Sequence, residues 1–363
     1  MRDALSNMEK SALARTPSFH APPIEDFHKT LAKVGLSASS LPLASCAVAV
    51  LTYVTCIILT AALGTYTGGL RMPYFSDTGR EGPGYWVFAV GLCLAAALYL
   101  GTHAAVWNWI IKPQLDATLP PPSLDWTPSK GSTRLRSAAV AGPHLCGASA
   151  PFLAILAVFD TSSWPYTHAL SAYCFFGLNF VGCWAYVVTF WRILRMEPAA
   201  AFAACRRRKL ALAGVFTVAF LLYLPVGLAA NCAFVRLSVA SCVGEGVGTA
   251  AWCGARRLSS DPADAADYAR TVLWDYSGCV GTNEMRSGAQ FVCIVALLLF
   301  SADFSLDFSR LDGHVHNQEA GPGTARARPP PLPATSSFTQ GSAVISGGGR
   351  GAARGGGGPK YVI

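Results

Sequence analysis

Six stretches of this 363-residue chain are apolar for long enough to cross a lipid bilayer, and short polar segments separate them. A hydrocarbon core of about 30 Å needs roughly 20 residues of helix. The pattern predicts spans over Leu43–Gly64, Tyr85–Ile111, Ala138–Phe159, Tyr166–Phe190, Leu210–Val235 and Ser287–Phe308. The first five contain no Asp, Glu, Lys or Arg. In lipid only a helix satisfies its own backbone hydrogen bonds within one segment, so each run reads as helix rather than strand. The sixth is uncharged only from Ser287 to Ala302. That stretch rises about 24 Å at 1.5 Å per residue, so Asp303 is expected close to an interface. The predicted fold class is all-α: a polytopic membrane protein built as a six-helix transmembrane bundle over 41–312. A short segment (1–40) precedes it and a Pro/Gly/Arg-rich tail (313–363), expected to be disordered, follows it.

Composition agrees with that division. Hydrophobic residues make up 52% and charged residues 13% of the chain, about half the charge of an ordinary soluble domain. The first 40 residues carry Arg2, Lys10, Arg15, Lys29 and Lys33 and lack a continuous apolar run. No secretory signal peptide is therefore expected, and the first span is expected to direct its own insertion. Basic residues concentrate in the N-terminal segment, in 112–137, in 191–209 and in the tail; 65–84 and 236–286 hold few. By the positive-inside rule both termini are predicted cytoplasmic, with 65–84, 160–165 and 236–286 on the exterior or lumenal side. The sequence does not distinguish plasma membrane, lysosome, Golgi and endoplasmic reticulum.

Small residues inside the spans, among them Gly91, Ala95, Ala96, Ala97, Gly177 and Gly182, predict close helix approach. Pro151 and Pro225 predict kinks, and Asn179 is expected to bond a neighbouring helix. In the oxidising compartment, Cys242, Cys253 and Cys279, with Cys232 at a span end, allow one or two disulfides whose pairing the sequence leaves open. Seven other cysteines lie within spans and read as small apolar packers.

One loop carries a specific signal. Residues 71–80 read Arg-Met-Pro-Tyr-Phe-Ser-Asp-Thr-Gly-Arg, a turn-forming run in which Asp77 is placed to accept backbone N–H groups. Pro73, Ser76, Asp77, Thr78 and Gly79 between the first two spans resemble the signature of the DRAM/Frag/Sfk-type six-span family. Phe159-Asp160-Thr161, then His168 and Ala172, resemble its short connection between the third and fourth spans. Asp307-Phe308 resembles the end of its last span. The resemblance covers about residues 40–312. The chain departs from the pattern twice: the segment 236–286 is long and has its own cysteines, and Arg80-Glu81-Gly82 replaces a Pro-rich continuation. The family includes damage-regulated autophagy modulators, post-GPI-attachment lipid-remodelling accessory proteins and the N-terminal domain of Cwh-type cell-wall proteins. Membership implies a lipid-membrane role, through autophagy, lipid-kinase recruitment or GPI-anchor maturation, and does not fix which.

Three function classes follow. The leading one is a non-enzymatic scaffold or regulator in membrane lipid handling, autophagy or lipid-kinase recruitment. The second is a lipid-remodelling enzyme or its accessory subunit, with Asp77, Asp160 and His168 as the polar centre, since a carboxylate beside a histidine is the minimum for general-base chemistry. The third is a transporter or channel, which the scarcity of charged midplane residues disfavours. Arg206, Arg207, Arg208 and Lys209 abut the fifth span beside Cys205. They are the candidate lipid-headgroup site, at on the order of 1 kcal/mol per basic residue, and Cys205 is a candidate for palmitoylation. In the tail, Pro330-Pro331-Leu332-Pro333 suits a WW or SH3 groove and Tyr361-Val362-Ile363 suits a PDZ domain. Membrane lipids are the expected partners; no nucleic acid, metal or cofactor is expected.

Overall fold

Residues 37–118, 130–193, 199–230, 232 and 235–319 are described in the computed structural model. The N-terminal segment up to residue 36 and the tail motifs at 330–333 and 361–363 lie outside the described residues. The elements run α1 (Leu41–Leu63), α2 (Phe75–Thr78), α3 (Gly82–Ala105), α4 (Lys112–Thr118), α5 (Lys130–Val158), α6 (Pro165–Ile193) and α7 (Ala199–Leu221). They continue with α8 (Gly227–Ala229), β1 (Val235–Ser238), α9 (Val239–Gly244), α10 (Ala250–Gly254), α11 (Ala265–Tyr268), β2 (Arg270–Asp275) and α12 (Val280–Glu319). Two compact units result, 1–311 and 312–363; of the second, residues 312–319 are described and are helical.

Six helices are long and apolar enough to cross a membrane: Leu41–Leu63, Gly82–Asp116, Leu135–Val158, Pro165–Arg192, Ala204–Ala229 and Ser277–Ser309. Large apolar side chains such as Leu51, Ile58, Val90 and Val218 stay exposed on their outer faces. In water that pattern is costly, but lipid is as apolar as these side chains. Along the chain α1 packs on α3, α3 on α5, α5 on α6 and α6 on α7. Close approach uses the predicted small residues. A Cβ on Gly91 would strike the Thr52 side chain, and one on Gly182 would strike Cys146 Sγ. Gly177 is the exception, since a Cβ there would meet open space. Helix α12 joins the rest through ring contacts, with Phe291 stacked on Tyr53 of α1 and Phe304 against Tyr186 of α6.

Two span boundaries differ from expectation. The fifth span begins about six residues earlier and ends at Ala229 rather than Val235. Residues Arg206 to Lys209 therefore lie within the helix, and Val235 starts a strand. The sixth span takes in Asn283 and Arg286, both buried. Arg286 Nε donates to the Tyr223 carbonyl of the fifth span (3.3 Å). That carbonyl lies in a π-helical turn, Leu222–Val226, which contains Pro225. Proline lacks an amide, so Pro225 leaves the ladder of this helix interrupted in the turn that makes the Arg286 contact.

The all-α expectation holds for the bundle, and the segment 235–279 adds a small mixed lobe. Its antiparallel ribbon pairs Val235 with Asp275 and Arg236 with Trp274. Leu237, Cys242, Cys253 and Leu273 form its core. Disulfides Cys232–Cys279 and Cys242–Cys253 staple it, which resolves the open pairing. Ser238 and Thr249 cap α9 and α10 by accepting from the Ser241 and Trp252 amides.

Candidate functional site

The signature loop lies at the stapled end of the bundle, and its chemistry begins with α2. Asp77 is almost fully buried. The Tyr276 hydroxyl donates to its Oδ2 (3.0 Å), and the buried Thr161 side chain lies near it, from the connection between the third and fourth spans. Arg80 Nη1 stands 3.9 Å from Oδ1. Burial raises the Asp77 pKa, against the opposing pull of Arg80, the Tyr276 hydrogen bond, nearby Thr161 and Arg236. Burial, then the neighbouring Asp77, holds the Tyr276 phenol well above its ordinary value. Gly79 is required because a Cβ there would overlap the Phe88 ring. Gly68 (φ +77°) faces Tyr276, where any side chain would collide and where a positive φ favours glycine.

Three segments distant in sequence thus converge on one aspartate. Arg236 adds to the junction, donating to the Val272 carbonyl through Nη1 and to the Ser162 carbonyl through Nη2 (3.3 Å) while stacking on Trp274 (3.6 Å). The two departures from the family pattern also meet here. Arg80 Nη2 donates to the Tyr66 carbonyl (2.6 Å), and Glu81 pairs with Arg256 of the lobe (3.1 Å). Arg80 and Glu81 stand where a Pro-rich run is expected; Arg80 ties the loop to itself, and Glu81 bonds the long segment.

Asp160 and His168 lie close to this junction with structural partners of their own. Asp160 Oδ1 accepts from the Ser162 and Ser163 amides (2.7 and 2.8 Å), closing an Asx turn. His168 Nδ1 is 2.8 Å from the Phe159 carbonyl and must be the donor, because a carbonyl only accepts.

At the opposite end of the fifth and sixth spans, the basic run is divided. Lys209 is read above as a headgroup ligand; instead its ammonium is fully buried, 3.0 Å from Asp303 and 2.9 Å from Asp307, with the Phe304 ring 3.8 Å away. Arg208 Nε pairs with Asp303 at 2.5 Å. Cys205 is buried and donates to Asp307 (2.9 Å), which removes it as a palmitoylation site. The cause is the early start of the fifth span, which turns Lys209 toward the two aspartates of the sixth. Asp303 is therefore buried between helices, not merely close to an interface. Arg207 is exposed and Arg206 stacks on Trp191 (5.5 Å), so these two keep the headgroup reading. Cys205, Asp303 and Asp307 offer ligand atoms within 4.8 Å of one another, the spacing of a metal site. Two carboxylates against Lys209 and Arg208 already balance in charge, and the Lys209 ammonium stands where a cation would.

Within the bundle, Tyr99 donates to Asn179 Oδ1 (2.5 Å) and Asn179 Nδ2 donates to Ser149 (2.8 Å), so one amide joins three spans. His103, fully buried, pairs with Tyr186 (2.7 Å). Neither His103 nor Arg286 stands out in the sequence, because each is a single polar residue in or beside an apolar run.

The profile of the Frag1/DRAM/Sfk1/Cwh43P N-terminal domain matches residues 37–311. The chain belongs to that family. The matched region covers all six membrane helices and the signature loop, and it includes the stapled lobe. No curated protein and no solved structure matches the chain.

Proposed function

We propose that this Frag1/DRAM-family protein is a non-enzymatic membrane scaffold in lipid handling. In this reading it displays the stapled lobe on the exterior or lumenal side and recruits cytoplasmic partners through its tail, with Arg206 and Arg207 against anionic lipid. The observation that carries the reading is the state of the candidate catalytic groups. Asp160 closes a turn, His168 Nδ1 holds a carbonyl, and Asp77 accepts from Tyr276 and faces Arg80, so all three are used to join the stapled end together. The disulfides support the lobe's placement in an oxidising compartment. In this reading six crossings leave both termini, and the bundle end that carries Arg206 and Arg207, on the cytoplasmic side, in line with the charge bias.

The test replaces Asp160 with Asn, which keeps the turn's acceptor and removes the carboxylate. A scaffold leaves the cellular lipid profile of D160N cells unchanged, while removal of residues 320–363 or the pair R206S/R207S changes it. A lipid-remodelling enzyme, the second reading, shows the reverse, with the profile altered in D160N at normal membrane abundance. An Asn-x-Thr acceptor placed at 259–261 checks orientation: it is glycosylated if the lobe is lumenal and unmodified if the orientation is inverted.

A further inference from the structure

Where α6 and α7 pack together, toward the end that carries the basic run, their outer face holds a groove of about 290 Å³. Trp184, Val187, Val188, Trp191 and Arg192 line it from α6, and Leu210 lines it from α7. The α6 positions follow i, i+3, i+4, i+7 and i+8, so they form one stripe about 12 Å long at 1.5 Å per residue. Val188, Trp191 and Leu210 are exposed, so the groove opens outward to the surface that meets lipid. A closed cavity of about 150 Å³ holds a benzene ring. This groove is roughly twice that size and open on one side, so it seats a length of alkyl chain without having to enclose it.

The groove changes character along its length. At the deeper end the Trp184 indole Nε1 donates to Thr217 of α7 (2.9 Å), so its single donor is already used. At the other end Arg192 lines the groove and Arg206 stacks on Trp191, 5.5 Å from the ring centroid. Neither helix carries a carboxylate. Among the described residues, the ion pairs of α6 and α7 are those of Arg208 and Lys209 with the aspartates of α12. Arg192, Arg206 and Arg207 therefore have no carboxylate partner among the described residues.

We propose that the α6/α7 groove holds one anionic phospholipid, with an acyl chain along Trp184, Val187, Val188 and Leu210 and the phosphate on Arg192 and Arg206. A guanidinium fork matches phosphate oxygens, and stacking on an indole holds it ready for them. Phosphatidylcholine would bring a trimethylammonium to the same arginines, where neither helix offers a carboxylate to receive it. Free phosphate would leave the apolar stripe uncovered. The inference rests on the assignment of Arg206 to anionic lipid made above, and adds to it Arg192 and a place for the acyl chain.

The experiment uses the full chain in phosphatidylcholine nanodiscs containing a minor fraction of phosphatidylserine with a diazirine on its acyl chain. A phosphatidylcholine with the same diazirine replaces it in the control. Both leaflets carry probe, so the outcome does not depend on the orientation of the chain. After irradiation and peptide mapping, phosphatidylserine is expected to label Val187, Val188 or Leu210 several-fold more than phosphatidylcholine does. Leu51 and Val90, exposed on other spans, should take both probes equally. Arg192→Ser should cut the phosphatidylserine label in the groove about fivefold, the effect of one basic residue at an anionic membrane. Val188→Trp fills the stripe and should remove the groove label of both probes, with Leu51 still labelled. The proposal is overturned if both probes label the groove equally, if R192S or V188W labels like wild type, or if no probe enters the groove, which would mean that protein covers it. The lipid profile of R206S/R207S cells tests the scaffold reading by itself. A groove that fails here leaves that result standing, and an unchanged profile leaves the groove label standing.

Discussion

Replacing Lys209 with methionine removes the buried ammonium that joins Asp303 and Asp307, in a side chain of similar length. In the native bundle two carboxylates face Lys209 and Arg208, a balanced set. The substitution leaves one negative charge uncompensated. Asp303 keeps Arg208, so the burden falls on Asp307, whose remaining neighbour is the weak Cys205 thiol donor. Breaking a buried pair by removing one partner costs about 3–5 kcal/mol. The methionine thioether recovers part of the packing on Phe190, Phe300 and Phe304, so the lower end, about 3 kcal/mol, is expected. At about 2–4 °C per kcal/mol this is a fall of about 6–12 °C in Tm, measured by intrinsic fluorescence in detergent micelles. Asp307→Asn alone leaves a net positive charge and also destabilises. The double variant K209M/D307N restores charge balance and should recover at least half of the K209M loss. A K209M variant within about 1 kcal/mol of wild type would refute the reasoning, as would a double variant no better than K209M. If Lys209 served lipid headgroups instead, K209M would weaken binding to anionic vesicles and leave the Tm unchanged.

Three further outcomes follow from the structure. The Asp77 pKa is raised above the 3.8 of an exposed carboxyl, so the folded state binds the extra proton and stability falls as pH rises from 3.8 through the folded pKa. The Tm of D77N minus that of wild type should therefore be larger at pH 7 than at pH 4; an equal or reversed difference refutes it. Cys242→Ser opens a loop of sequence separation 11, for which chain entropy predicts a loss of about 3 kcal/mol. That loss should appear as earlier proteolysis within 236–286 while the bundle keeps its Tm. Asn179→Leu removes the acceptor of the Tyr99 hydroxyl and leaves Ser149 with its bond to the Cys146 carbonyl; it should cost about 1–2 kcal/mol in the same melting assay, and no change would show that the network is replaceable.

The parts of this architecture that the sequence announces are those carried by long runs. An uncharged stretch of twenty residues has one physical reading in lipid, so the six helices follow from composition alone. The ends do not, because a charge at a span boundary reads as interface unless its partner is known. Lys209 and Asp303 each mark a boundary when taken separately. Only a helix register that points both inward makes them a buried pair, and 94 residues separate them. His103 and Arg286 are hidden for the same reason, since a lone polar residue in an apolar run gives no sign of what it faces. Asn179 was legible because an amide deep in lipid must find a partner, although the sequence named neither Tyr99 nor Ser149.

The signature loop shows how a motif can be recognised without its role being read. Asp77 in a Ser-Asp-Thr-Gly run looks like a local turn, and a turn needs only its own amides. Its side-chain bond instead goes outward, to Tyr276, a residue 199 positions away. The two places where this chain departs from the family pattern are where the departures support each other, Glu81 pairing with Arg256 across the same junction. An unusually long segment must gain contacts to remain on the bundle, and Glu81 after the motif supplies one. The stapled lobe and the signature loop are therefore one structural unit. A change at Glu81 should loosen the lobe rather than the spans: in E81A, hydrogen exchange should rise in 250–258 and stay at the wild-type level in Leu135–Val158. Equal protection in both variants would mean that the lobe is held by its disulfides and by Tyr276 alone.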